Sequence, residues 1–245
     1  MAHGTDPDAA LRTHLGIYLA SLPRPGLALS SADVERGQRS RQALLDSGAA
    51  AVPVLLDALE TPEFLVKDAC YDLVLDIGAP ARQALHAAWG VRGEVTDIWI
   101  AAMLRHLGDA AAMERLWPRL QHPVASVRHL TALALAFGRL DATAPAPDAL
   151  LDVLVEALSD AQTIEGTPFT VAGSALACLS RWSGQDFLSP PRPIQLYNDA
   201  HFLYPPPEHP FPFAADHLTQ ASDTEQAAIR ARVQAWHAGR ARPGP

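Results

Sequence analysis

Glycines stand at positions 48, 78, 108 and 138, 30 residues apart each time, and each closes a short apolar run: QALLDSG, LVLDIG, LRHLG and LALAFG. No other feature constrains the chain as much. A glycine just past a helix end takes the left-handed backbone conformation without steric cost, because it has no Cβ. Four such stops at one spacing predict four helices of similar length, each followed by a turn. After the first three a second short run begins almost at once: AAAVPVLLDALE, APARQALHAAWG and DAAAMERLWPRLQ. After Gly138 a longer turn, RLDATAPAP, precedes DALLDVLVEALSD. The predicted unit is helix, glycine turn, helix. A lone hairpin of this kind cannot bury its apolar face, so tandem copies bury it on one another, and a period in this range marks a solenoid.

The apolar positions agree with that unit. Val52, Leu55, Leu56 and Leu59 recur at helical spacing in one second helix, as do Leu150, Val153, Leu154, Ala157 and Leu158 in another. Trp89 and Trp117 fall in a similar register and are expected to wedge between layers of the core. Upstream, Asp6 before Pro7 is a helix-start signal, and Leu11, Leu15, Tyr18, Leu19 and Leu22 then share one face. That N-terminal stretch is acidic where a signal peptide is positive, and it is too short to span a bilayer, so a cytoplasmic protein is expected.

The run ASVRHLTALALAFG resembles the first helix of a HEAT repeat, with its Val-Arg pair followed by small residues and a leucine. GAAAVPVLLDAL resembles the second helix of the same unit, including Pro53 near its start. FLVKDACYDLVLDIG fits with Lys67 in the arginine place, whereas VTDIWIAAMLRHLGD lacks the basic residue and fits by period and apolarity alone. The resemblance covers residues 32–160. It implies an all-α fold, a right-handed alpha-alpha superhelix of about eleven helices, built as one domain over residues 1–245. Its parts are a capping helix and linker at 1–31, four helix pairs at 32–160, a last repeat helix at 161–187, a strap at 188–221 and a closing helix at 222–240. Proteins of this bacterial HEAT type often end in a Gly-x-Asp-Phe turn and a Trp-bearing helix, as GQDF and SDTEQAAIRARVQAWHAG do here. The resemblance also implies that Arg128 bonds between neighbouring repeats.

Function is less legible, because one fold hosts many activities. The strap holds eight of the 21 prolines, with aromatics at 197, 202, 204, 211 and 213, and an ordered, proline-rich loop covering the solenoid end is expected. His201, His209 and His217 with Asp199, Glu208 and Asp216 have metal-ligand chemistry but no metal-ligand spacing. His86, His106 and His129 are expected to be solvated or singly hydrogen-bonded, and Cys70 and Cys178 to be buried thiols. Neither a phosphate loop nor a nucleophile elbow occurs, so no catalytic residue, metal or cofactor is assigned. The net charge is −8, with 19 basic side chains against 27 acidic ones, which opposes binding to a phosphate backbone.

The expected function is therefore that of a non-enzymatic scaffold or adaptor that binds another protein or peptide. In such solenoids the second helices line the concave side, which places the partner on Asp57, Glu60, Arg82, His86, Glu114, Arg115, Arg119, Asp152 and Glu156. The alternative is a HEAT-fold enzyme, either of the alkylpurine DNA glycosylase type or a HEAT-like lyase. The glycosylase reading needs a basic concave face, and this lining mixes Arg82, Arg115 and Arg119 with acids and ends acidic.

Overall fold

The structure is a computed structural model. It describes residues 7–23, 28–61, 63–136, 147–163, 170–183, 185–188, 218 and 221–240. The fold is all-α. Its helices are α1 (Pro7–Ala20), α2 (Ser31–Asp46), α3 (Val52–Ala58), α4 (Phe64–Ile77), α5 (Ala81–Ala88), α6 (Glu94–His106), α7 (Ala110–Leu116), α8 (Ala125–Ala136), α9 (Asp148–Ala157), α10 (Val171–Ser183) and α11 (Asp223–Ala238). Two 3₁₀ segments, Gly48–Ala51 and Trp117–Gln121, complete the order, and the described residues hold an isolated bridge, Thr163 to Thr170, but no sheet. No described helix is long and apolar enough to cross a membrane. The helices gather into two compact units, Met1–Gly108 and Asp109–Pro245.

The glycine turns form as the spacing requires. Gly48, Gly78 and Gly108 have φ of 55, 72 and 85°, in the left-handed region that a Cβ resists, while Gly138 lies outside the described residues. A fourth such glycine, Gly90 at φ 76°, ends α5 and falls outside the 30-residue series. Its N–H donates to Asp97 Oδ1 at 3.0 Å, which gives that buried carboxylate a partner.

In the first unit α2 packs on α4 and α4 on α6, while α3 packs on α5. Side chains tie these layers together at a constant offset. Arg41 donates to Asp76, Tyr71 Oη lies 2.7 Å from His106 Nδ1, and Arg92 donates to Asp57 at 2.5 Å, each pair 35 residues apart. Arg92 also reaches the Pro53 carbonyl at 3.4 Å. It thus ties α3 to the segment that leads into α6. Helix α6 is buried continuously from Thr96 to Leu104, a run that is apolar except for Thr96 and Asp97. Trp99 is buried there, edge-on to the Tyr71 ring at 5.8 Å. Trp89 and Trp117 are only half-buried, because both stand at helix boundaries where the backbone turns outward and not on the buried faces. The expectation of Trp89 and Trp117 as core wedges is thus corrected: the buried tryptophan here is Trp99.

In the second unit α8 packs on α10 and on the 3₁₀ turn before it, and α9 packs on α10. The small residues Ala132, Ala134, Ala172, Ser174 and Ala175 are all buried and let these backbones approach. Arg128 bonds to Asp160 Oδ2 from Nε and to Gln162 Oε1 from Nη2, at 2.7 and 3.0 Å, and so joins α8 to the loop after α9. Cys70 and Cys178 are buried free thiols, and burial pushes the Cys70 thiol up to about 12.

Candidate functional site

Second helices are short here because each is stopped after two turns by its own loop: α3, α5 and α7 have seven, eight and seven residues. One face of each goes to the core. Val52, Leu55 and Leu56 of α3 and Leu85 of α5 are fully buried, leaving the polar positions on the other side. In the first unit this puts Asp57, Glu60, Arg82 and His86 on the surface, with Glu60 one turn beyond the end of α3. Asp57 holds Arg92, so its charge is already met within the chain. Glu60, Arg82 and His86 are exposed.

In the second unit Glu114 and Arg115 are exposed on α7. Arg119 belongs to the 3₁₀ continuation, and its Nη1 donates to the Arg115 carbonyl at 2.7 Å, which folds it back along its own segment. Asp152 and Glu156 lie on α9, where Asp148, Asp152 and Glu156 recur every four residues and so form a row of carboxylates along one side of the helix.

That row is occupied. Helix α11 runs alongside α9 in the opposite direction: Arg240 Nη2 meets Asp148 Oδ1 at 3.1 Å, His237 Nε2 meets Asp152 Oδ1 at 2.9 Å, and Arg230 Nε donates to the Leu158 carbonyl at 3.0 Å. Arg232 Nε donates to the Phe187 carbonyl at 2.8 Å, and the Trp236 ring stands edge-on to Phe187 at 5.4 Å with the Arg240 guanidinium 5.3 Å above it. Ser222 caps the helix, its Oγ accepting from the Glu225 N–H at 3.4 Å. Reading the second helices alone missed this partner, although the signal is in the sequence. His237 near the end of the last helix and Arg240 just past it meet Asp152 and Asp148 of α9 in reverse order.

The histidines divide by setting. His106 is half-buried against Tyr71, at a ring separation of 5.6 Å. His129 is buried, with Nδ1 2.6 Å from Ser174 Oγ, and burial pulls it down to about 4. Ser174 Oγ in turn donates to the Thr170 carbonyl at 3.2 Å, so the hydroxyl accepts from a neutral imidazole. This chain of bonds links α8 to α10 and belongs to the core. Among the described residues no three His, Cys, Asp or Glu side chains converge on a metal position. The cluster at 199–217 and most of the strap lie outside the described residues. Comparison with protein-family models, with curated proteins and with solved structures gives no match.

Proposed function

We propose that the chain is a HEAT-like helical-repeat adaptor that binds a partner protein on the polar faces of its second helices. One observation carries this reading. A second helix, α9, holds another helix on its polar side, through Asp148, Asp152 and the Leu158 carbonyl. Such a face is therefore suited to receiving a helix, and the second helices of the first unit present a comparable face in Glu60, Arg82 and His86. Cross-links at an offset of 35 residues support the tandem arrangement that the resemblance implies. The acidic row on α9 and the net charge of −8 oppose a polyphosphate ligand, and both argue against the nucleic-acid reading.

Reversing charge in the first unit tests this directly. The double variant Glu60→Lys, Arg82→Glu changes two exposed side chains and keeps the circular dichroism of the parent. It is expected to lose the proteins captured by the wild-type chain from native extract after chemical cross-linking. An unchanged catch from the folded variant overturns the proposed interface.

A further inference from the structure

We propose that the acidic side of α9 is a docking surface for a basic amphipathic helix of another protein, and that α11 occupies it in cis as a stand-in. The proposal rests on the adaptor reading above and names the chemistry of one partner. Three observations support it. First, the match is linear: Arg240 on Asp148, His237 on Asp152 and Arg230 on the Leu158 carbonyl follow α9 from its first residue to its C-cap. A helix carrying Arg230 and His237, with Arg240 just past its C-cap, makes all of these contacts at once.

Second, α11 is held lightly. Of its 16 residues only Ile229 and Val233 are buried, and the carboxylates it meets, Asp148 and Asp152, keep 45 and 47% of their side-chain surface exposed. Ion pairs that wet are screened and weak, and an element with few buried contacts opens at low free-energy cost. Third, the fit is imperfect. Arg232 Nη2 and Arg240 Nη1 are buried without a hydrogen-bond acceptor among the described residues. On α9 itself this concerns Arg240 Nη1, for which a better-matched helix supplies a donor set without an unmet N–H. Glu156, next in the acidic row, remains exposed for a further cationic contact.

The test uses the full-length protein and a fluorescently labelled synthetic peptide with the sequence of residues 222–240. The variant His237→Asp, Arg240→Asp weakens the cis helix and leaves α9 intact. It is expected to bind the peptide at least tenfold more tightly than the wild type, because a tethered competitor is removed. Adding Asp148→Asn and Asp152→Asn is expected to abolish that binding. Equal affinity of wild type and variant, or binding indifferent to Asp148 and Asp152, overturns the proposal.

Hydrogen exchange on the unaltered chain gives a second measure, independent of how the variants fold. Amides of α11 are expected to exchange at least tenfold faster than those of α10, and faster again with excess peptide. Equal protection of the two helices makes α11 a permanent part of the fold and overturns the proposal. A concentration-dependent dimer of the charge variant by light scattering, without peptide, assigns the face to a second copy and overturns the partner claim. The adaptor reading is tested at Glu60 and Arg82, in the other unit, so the two can fail separately.

Discussion

Arg128 makes four hydrogen bonds, from Nε to Asp160 Oδ2, from Nη1 to the His122 and Pro123 carbonyls and from Nη2 to Gln162 Oε1, and its Nη2 also forms the ion pair with Asp160. The ion pair is mostly buried, with side-chain exposures of 11 and 19%. Removing the guanidinium strands a carboxylate and two carbonyls, so Arg128→Met is expected to cost about 3 kcal/mol in urea unfolding. Arg128→Lys restores the charge but not the planar fork, and is expected to recover only part of that loss.

His129 makes an opposite demand, since it is buried neutral. Its folded value of about 4 lies below the ordinary imidazole value of 6.5, so between those values the unfolded chain binds the extra proton. Stability contributed by this site is complete at neutral pH and is lost as the pH falls from 6.5 towards 4, by up to about 3 kcal/mol. Urea midpoints of His129→Gln are expected to vary less with pH over that window than those of the wild type. Gly37, inside α2, completes the residue-scale cases. A Cβ there meets Ser21 Oγ at 1.8 Å and its Cβ at 2.3 Å. In an open helix interior Gly→Ala gains about 1 kcal/mol. Here Gly37→Ala is expected to lose about 1–3 kcal/mol by forcing α1 and α2 apart, measurable as a lowered Tm.

Among the elements, first and second helices have different work. The longer first helices carry the cross-links, such as Arg41 to Asp76 and Tyr71 to His106, whereas the second helices stop after two or three turns and leave polar rows outside. Glycine turns join them, and at Gly78 an added Cβ meets only the Leu75 and Asp76 carbonyls, at an ordinary 3.8 and 3.9 Å. The strain of Gly78→Ala is then purely conformational, and a loss of about 1–2 kcal/mol in chemical denaturation is expected. This part of the fold is legible in the sequence, because a left-handed stop and a 3.6-residue apolar rhythm are local properties. Leu55, Leu56, Leu150 and Leu154 are buried where that rhythm put them. Trp89 and Trp117 were harder, since their exposure depends on where a turn begins, which apolarity does not reveal. The pairing of α11 with α9 is farther still: Arg240 and Asp148 are 92 residues apart, and no local pattern joins them.

For the whole molecule, the candidate site divides into positions the chain has already used and positions it presents. Asp57 and Asp152 answer Arg92 and His237, and Arg119 folds back on Arg115. Glu60, Arg82 and His86 of the first unit, and Glu114, Arg115 and Glu156 of the second, are exposed. Residue type could be read from the sequence for all nine positions, but Glu60 lies past the end of α3 and Arg119 in a 3₁₀ segment, boundaries that apolar spacing does not mark. Which of them were already spoken for required the tertiary structure. Site-specific photo-cross-linking tests the adaptor claim most directly, with a photoreactive amino acid placed singly at Arg82, at Glu114, or at Gln38 on the exposed side of the first helix α2. In native extract the account predicts a discrete protein adduct from positions 82 and 114 and none from 38. Adducts from position 38 alone, or from all three positions equally, would contradict it.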